Sequence, residues 1–326
     1  MSEHVTAVQV ASLDGPAGLR VVRLPGPTAE QTAISVIVDV HAAGVSFPDL
    51  LMSHGRYQRK PPVPFVPGVE VAGLVRSAPA DSSFRAGDRV AGFVRVGGWA
   101  ARVAVRPELT FPLPDGLSFR SGAGLPMNYL TAHLSLTRRG ALRPGETLLV
   151  HGAAGGLGAA LLQAGRALGA RVIGVVSTEA KADLARAAGA HETVLTDDWL
   201  SAVRALAPRG VDLVADTVGG GRFLDSVRSL AKEGRLLVLG FADGIPTVAA
   251  NRLLLKNVDV RGVAWGSLIE DEPGYPRQQW EDLLSWYDAG HIRPIDGPTF
   301  APANAADALR LLEDRRATGK ITLSFA

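Results

Sequence analysis

The sequence contains no cysteine among its 326 residues. Disulfide bonds, thiol nucleophiles and iron–sulfur clusters are therefore excluded, and the absence suits a reducing compartment. No apolar run approaches the roughly 18 residues that a membrane-spanning helix needs. The N-terminal stretch MSEHVTAVQV also lacks the charged start and apolar core of a secretory signal. We therefore expect a cytoplasmic protein without a membrane segment.

An excess of charge of one sign is missing as well. The 34 basic and 32 acidic side chains leave a formal net charge of +2. This balance gives no electrostatic signature of binding to nucleic acid or to an acidic membrane, so the expected partner is a small molecule. The chain length suits two domains.

Residues 1–120 contain short apolar runs separated by turn residues. The strand candidates are ISVIVDVHAAGV, GVEVAGLV and DRVAGFV, and the segments that interrupt them are LPGP, KPPVPFVPG and RAGD. Short strands with turns between them predict an irregular β barrel or sandwich.

From residue 125 the pattern changes to strands that alternate with helices. A helical spacing of apolar residues covers 125–142, and the strand candidates that follow are TLLV (147–150), RVIGVV (171–176), HETVL (191–195), VDLVADTV (211–218), GRLLVLGF (234–241) and VDVRGVAWG (258–266). Short apolar strands separated by helices predict parallel βαβ units in an α/β fold, with helices on both faces of the sheet. The tail, with IRPIDGPTF and KITLSF, is expected to return to the first domain.

The stretch HGAAGGLG, at 151–158, stands where the first of these strands gives way to a helix. Its pattern is Ala153-x-Gly155-x-x-Gly158, a dinucleotide fingerprint with alanine at the first glycine position. A middle glycine lets the backbone approach a pyrophosphate, and free N–H groups at the helix start face the phosphates. The alternative is a tight turn in an alanine-rich helix, and the surrounding β-α-β pattern favours the cofactor. The expected contacts are Ala154, Gly155, Gly156 and Leu157.

The residues after the second strand of this region bear on the choice of cofactor. An acidic side chain there would bind the ribose hydroxyl of NAD, whereas Ser177 and Lys181 suit the 2′-phosphate of NADPH. Glu179 lies between them and opposes this interpretation. The alternative is that Ser177 caps the next helix and Lys181 is a solvated charge. We expect NADPH.

With these residues placed, the whole chain resembles the zinc-free branch of the medium-chain dehydrogenase/reductase superfamily, and most closely its quinone oxidoreductase group. The resemblance rests on AAGVSFPDLLMSHGRY, PFVPGVEVAG, AGDRVAG, LPMNYLTAH, HGAAGGLG, ANRLLLKN and RRATGKITL, which occur in the family's order. It implies a GroES-like catalytic domain of residues 1–124, completed by 292–326, and a Rossmann domain of residues 125–291. It also implies a substrate cleft between the domains and a homodimer that joins through the edge strand 258–266.

Zinc-dependent relatives carry ligands that this chain lacks. Ser46 stands at the first ligand position, and the Gly-His-Glu motif is replaced by Gly68-Val69-Glu70. The four-cysteine structural lobe is missing. Zinc needs thiolate, imidazole or carboxylate ligands in a tetrahedral array, so no metal is expected at this position.

The resemblance also suggests residues for catalysis and cofactor binding. Tyr57 would donate a proton or orient the substrate, with packing at the cleft rim as the alternative, and Asp49 matches a carboxylate that either acts in catalysis or braces its own loop. The implied contacts to the cofactor are Ser46, Asn128, Thr131, Gly240, Phe241, Trp265 and Arg316. Trp265 is expected on the sixth strand. Its side chain could equally pack in the core or lie at the dimer interface. Relatives often place a tyrosine where this chain has Thr196-Asp197.

Without zinc, the favoured reaction is hydride transfer from NADPH to an acceptor that is already electron-poor. The first hypothesis is a quinone oxidoreductase. The second is a reductase of activated C=C bonds in an enoyl thioester, acrylate or enone. The third, of another class, is a protein that binds NADPH without turnover.

Overall fold

The structure is a computed structural model that describes residues 3–326. Met1 and Ser2, which begin the expected catalytic domain and the N-terminal stretch analysed above, lie outside the described residues. The chain divides into two compact units. Unit 1 contains residues 1–127 and 296–326, and unit 2 contains residues 128–295.

The strands lie in both units and are numbered along the chain. They are β1 (His4–Val10), β2 (Leu19–Pro25), β3 (Val36–Gly44), β4 (Glu70–Ser77), β5 (Arg89–Phe93), β6 (Arg102–Val105), β7 (Thr110–Pro112), β8 (Thr147–His151), β9 (Arg171–Val176), β10 (Glu192–Leu195), β11 (Val211–Asp216), β12 (Leu230–Val238), β13 (Asp259–Gly262), β14 (Asp296–Phe300) and β15 (Lys320–Ser324).

The helices are concentrated in unit 2. They are α1 (Ala29–Ile34), α2 (Phe47–Ser53), α3 (Phe119–Gly122), α4 (Leu125–His133), α5 (Gly156–Ala167), α6 (Glu179–Ala187), α7 (Trp199–Leu206), α8 (Phe223–Ser229), α9 (Asn251–Leu254), α10 (Trp265–Asp271), α11 (Tyr275–Asp288) and α12 (Ala305–Glu313). Helix α4 continues directly into a π-helix at Leu134–Arg139. None of the helices in residues 3–326 combines the length and apolar character that a membrane crossing requires.

Unit 1 is built on a mostly antiparallel sheet. Its order is β14-β15-β3-β4-β5-β7, with β6 paired to β3, and β1 and β2 form a separate hairpin. The C-terminal strand β15 pairs antiparallel with β3. The tail therefore returns to the N-terminal part of the chain, as the sequence predicts. Strand β3 occupies the centre because its apolar residues are buried on both faces.

Unit 2 is a parallel sheet of six strands in the order β10-β9-β8-β11-β12-β13. Each neighbouring pair is parallel. The order reverses direction between β8 and β11, and ligands of such sheets bind at the carboxyl ends of strands beside this switch point. The predicted combination of a Rossmann sheet with a GroES-like, β-rich part is confirmed.

One detail of the sequence prediction is wrong, and the structure refines a second. The sequence predicts a sixth strand through 258–266, but β13 ends at Gly262 and Trp265 begins helix α10. The reason is pairing: Gly262 lies opposite Val238, the last residue of β12, so the chain beyond it has no neighbouring strand. The helical segment predicted at 125–142 changes from α to π geometry after His133.

Candidate functional site

The glycine loop of unit 2 joins β8 to α5. Gly152 has a left-handed backbone, with φ of +66°, and Gly155 is the residue that caps α5. A Cβ at Gly158 would lie 2.1 Å from the carbonyl oxygen of Gly152, so only glycine fits where the helix packs against the loop. A Cβ at Gly155 would meet nothing closer than 3.5 Å, which leaves its outer side open. The start of α5 therefore offers unencumbered backbone N–H groups of the kind that bind phosphate.

Helix α4 lies directly beside this loop. A Cβ built at Gly156 would come within 2.8 Å of the Asn128 side-chain nitrogen, so glycine is needed for the two elements to touch. The Thr131 hydroxyl, one turn further along α4, is buried and meets no hydrogen-bond partner among the described residues. An orphaned buried hydroxyl is costly unless a ligand or water completes it. Ala154 lies within the same loop, and Leu157 is the second residue of α5. These features fit the phosphates and the polar groups of a dinucleotide.

The candidate site for a 2′-phosphate follows strand β9. The Lys181 ammonium lies 3.2 Å from the Ser177 hydroxyl oxygen, so a cationic and a neutral donor stand together. Burial lowers the pKa of Lys181. Thr178, rather than Ser177, caps helix α6 by accepting from the Lys181 N–H. The capping alternative for Ser177 is therefore wrong.

The remaining residues expected near the cofactor fall in different settings. Gly240 sits against the backbone of Thr217, because a Cβ would lie 2.7 Å from that carbonyl oxygen, and Phe241 next to it is exposed. Trp265 is buried, and its indole N–H donates to the Gln279 side-chain oxygen at 2.7 Å. Arg316 belongs to unit 1, where its exposed side chain follows helix α12.

In unit 1, Asp49 is fully buried at the start of helix α2. One carboxylate oxygen accepts from the Ser46 N–H at 2.8 Å and the other from the Gly68 N–H at 2.9 Å. Burial raises the pKa of Asp49 to about 7, against the lowering effect of the Ser46 N–H and of the Lys320 charge. Both oxygens are occupied by the backbone, which is the geometry of a loop brace.

Ser46, Glu70 and Lys320 form a buried polar cluster beside Asp49. The Ser46 hydroxyl donates to Glu70 at 2.9 Å and accepts from the Lys320 ammonium at 2.7 Å. Lys320 also bonds to the same Glu70 oxygen and, at 3.1 Å, to the Val45 carbonyl. The second Glu70 oxygen accepts from the Met127 N–H at 2.9 Å. The sequence interpretation missed Glu70 and Lys320 as site residues, although a charged residue at the start of an apolar strand is a usable signal.

Tyr57 follows helix α2 and is half-buried. Burial raises the pKa of its phenol, and the charge of Asp49 adds to the increase while Arg59 opposes it. The phenol therefore keeps its proton at neutral pH. A protonated phenol can donate a hydrogen bond or a proton to a developing oxyanion or carbanion.

The positions that hold zinc in relatives carry other chemistry here. Ser46 and Glu70 bond to each other and to Lys320, an arrangement of one hydroxyl, one carboxylate and one ammonium. Within residues 3–326, histidine and acidic side chains nowhere gather into a group of three that could hold a metal ion.

Comparison with known proteins identifies the family. Residues 32–115 match the alcohol dehydrogenase GroES-like domain, and residues 156–289 match the zinc-binding dehydrogenase domain. Quinone oxidoreductase-like protein 2 of Rattus norvegicus is 37% identical over 99% of this chain and 93% of its own length.

Solved structures agree in fold over nearly the whole chain. A probable oxidoreductase from Mycobacterium abscessus is 41% identical with a TM-score of 0.90, covering 99% of this chain and 100% of that one. The quinone oxidoreductase of Thermus thermophilus, described also in complex with NADPH, is 37% identical with a TM-score of 0.87, covering 98% and 100%. The chain therefore belongs to the quinone oxidoreductase group of the medium-chain dehydrogenase/reductase superfamily, a class of oxidoreductases.

Proposed function

We propose that this protein reduces quinones with NADPH and without zinc. The observation that carries the proposal is the glycine loop of unit 2, whose open helix start adjoins Asn128. The orphaned hydroxyl of Thr131 lies one turn further along the helix that carries Asn128. The pairing of Ser177 with Lys181 supports NADPH over NADH, because a hydroxyl and an ammonium complement a phosphate. The NADPH complex of the Thermus relative supports the same cofactor.

The side chains of unit 1 support the proposed independence from zinc. Lys320 supplies a fixed positive charge beside Ser46 and Glu70, and it directs its hydrogen bonds to three protein oxygens. An electron-poor acceptor needs no Lewis acid to accept hydride. NADPH, when bound, supplies the hydride, and one proton from a side chain or water completes reduction of the quinone to the hydroquinone.

The roles of the chain's own residues follow from their settings. We assign Asn128 and Thr131 to the nicotinamide end, the loop residues Ala154, Gly155, Gly156 and Leu157 to the pyrophosphate, and Ser177 with Lys181 to the 2′-phosphate. Asp49 acts as a positioning residue that holds the Ser46 and Gly68 backbones. Tyr57 is the candidate proton donor.

A second activity, reduction of activated C=C bonds, is favoured by Tyr57. Hydride addition to an enoyl thioester leaves an enolate that must gain a proton at carbon, and a phenol with a raised pKa holds that proton at neutral pH. A quinone gains its proton on an oxygen, a transfer for which water can serve as the donor. Tyr57 therefore matters more for the second activity than for the first.

The test is the rate of NADPH oxidation by purified protein with 1,4-benzoquinone and with a short enoyl thioester, each repeated with NADH. The proposal predicts faster, saturable turnover of the quinone, preference for NADPH, and little effect of Tyr57→Phe. Preference for the thioester together with a large loss in Tyr57→Phe would establish the second activity instead. NADPH binding without turnover of either acceptor would support a non-catalytic role.

The homodimer and the cytoplasmic location stay predictions. Strand β13 lies at the edge of the unit 2 sheet, and an edge strand offers backbone groups for pairing with a second copy. Measurement of the molar mass in solution would decide between monomer and dimer.

A further inference from the structure

The helix that carries Asn128 and Thr131 changes geometry directly after them. Helix α4 ends at His133 and a π-helix runs through Leu134–Arg139. A change in backbone hydrogen-bond spacing leaves carbonyl groups near the junction in need of other donors. Side chains meet this need: Ser135 bonds to the Thr131 carbonyl at 2.6 Å and Thr137 to the His133 carbonyl at 2.7 Å.

Gln279 of helix α11 supplies a donor from outside this helix. Its side-chain nitrogen donates to the Leu130 carbonyl at 2.8 Å, and the whole residue is buried. The amide orientation is fixed because the Trp265 indole N–H, which can only donate, lies 2.7 Å from the Gln279 oxygen. The amide nitrogen must therefore face α4.

The same amide fixes the proton on His133. Gln279 presents its second N–H to His133 Nδ1 at 3.2 Å, and the Thr137 hydroxyl, whose hydrogen is directed to the His133 carbonyl, lies 3.4 Å from the same nitrogen. Nδ1 accepts from Gln279 and therefore carries no proton. The proton consequently sits on Nε2, which donates to Asp282 at 2.8 Å. The chain from Trp265 through Gln279 and His133 to Asp282 is complete only with a neutral imidazole. A second proton, on Nδ1, would make this nitrogen a donor that faces the donating N–H of Gln279.

We propose that Gln279 is a positioning residue that sets helix α4 so that Asn128 and Thr131 meet NADPH, and that protonation of His133 releases it. The proposal rests on the proposed NADPH function, because its target is the cofactor contact of α4. Asn128 touches the start of α5 across Gly156, so a shift of α4 of even a few tenths of an ångström alters the cofactor loop. The titratable groups packed on the imidazole are Asp282 and Tyr275, both from α11, and Trp286 covers it.

The effect of pH follows in sign from the burial of His133. Burial lowers the pKa of His133 and the neighbouring Asp282 opposes that change. The imidazole is therefore neutral at neutral pH, and the network breaks as the pH falls below the ordinary range of histidine. NADPH affinity should weaken in the same direction.

The test compares Gln279→Met with Ser229→Ala in the full-length protein. Ser229 is also a buried polar residue of unit 2, but its hydroxyl donates to the Ser226 carbonyl within helix α8, at 2.8 Å, and not to α4 or α5. We expect Gln279→Met, which removes the bonds to Leu130, His133 and Trp265, to raise the NADPH dissociation constant about tenfold. Ser229→Ala should lower the melting temperature but leave that constant within about twofold. Equal weakening of NADPH binding in both variants would overturn the proposal.

A second readout needs no cofactor. The indole N–H resonance of Trp265, assigned by its loss in Trp265→Phe, should shift on acidification of the wild type. The variant His133→Asn keeps an acceptor at this position but cannot take the proton. In it, the indole resonance should shift less on acidification than in wild type, and the NADPH dissociation constant should rise less as the pH falls. An indole resonance that titrates identically in His133→Asn would contradict the proposal. Failure of the wild type to bind NADPH at all would instead refute the proposed function, and the inference with it.

Discussion

The ammonium of Lys320 lies 2.7 Å from the hydroxyl oxygen of Ser46, although 274 positions separate them in the chain. Both residues are buried, and Glu70 neutralises the charge. The contact joins the C-terminal strand β15 to the loop before α2. Since a buried ion pair is costly to break, this cluster fixes the start of helix α2 to strand β15.

Lys320→Met should destabilise the protein by about 3–5 kcal/mol, because it leaves the Glu70 carboxylate buried without its partner. Urea unfolding at neutral pH measures the loss. The double variant Lys320→Met with Glu70→Gln removes both charges and should recover a large part of it. A double variant as unstable as the sum of the two single variants would show that the two charges are not coupled.

Asp49 should make the stability of the protein fall as the pH rises. Burial raises its pKa to about 7 from 3.8, so the folded protein keeps a proton that the unfolded chain has already released. The contribution of Asp49 to the free energy of unfolding is fully present below pH ~4 and is lost as the pH rises to ~7. The expected change is on the order of 4 kcal/mol. Urea unfolding from pH 4 to pH 8 should show the slope in wild type and in Asp81→Asn, an exposed control. If Asp49→Asn keeps the same slope, another group is responsible.

Two alanine substitutions in the glycine loop should separate folding from cofactor binding. Gly158→Ala forces a Cβ to within 2.1 Å of the Gly152 carbonyl and should cost at least about 1–3 kcal/mol of stability. Gly155→Ala has room for its Cβ, so the melting temperature should hold. Its methyl group stands where the backbone would approach the pyrophosphate, and NADPH should bind about tenfold more weakly or worse. Unchanged NADPH affinity in Gly155→Ala would remove this loop from the cofactor site.

Lys181→Ala should weaken NADPH far more than NADH. Loss of one charge-assisted hydrogen bond corresponds to a factor of roughly 10–100 in the dissociation constant. Calorimetric titration of both cofactors gives the comparison, and Lys232→Ala, an exposed lysine on strand β12 in unit 2, provides the control. Equal weakening of both cofactors would rule out a 2′-phosphate site at Ser177 and Lys181.

The parts of the fold that local sequence determines were predictable. Six apolar runs separated by helical patterns predicted the parallel sheet, and the position of HGAAGGLG between a strand and a helix predicted the turn at Gly155. Trp265 shows the limit of this approach. Its neighbours VDVRGV favour a strand, but pairing ends at Gly262 because strand β12 ends opposite it, which sequence alone does not reveal.

The buried polar clusters were not predictable for a related reason. Lys320 and Glu70 come together only through the return of the tail to β3, and Gln279 reaches α4 only after α10 and α11 have packed. Ser46 and Asp49 were found by family resemblance, but their hydrogen bonds to Glu70 and Gly68 depend on tertiary contacts. The glycine loop, whose backbone geometry follows from local sequence, was thus easier to find than the buried side chains that hydrogen-bond to one another across distant parts of the chain.

The most direct test of quinone reduction is a single turnover. Protein loaded with one equivalent of NADPH is mixed with excess 1,4-benzoquinone, and the nicotinamide absorbance is followed together with the hydroquinone formed. The account predicts loss of the absorbance at a rate that saturates with quinone and far exceeds the rate without protein, with one hydroquinone formed per NADPH. Bound NADPH that is oxidised no faster than free NADPH would contradict it.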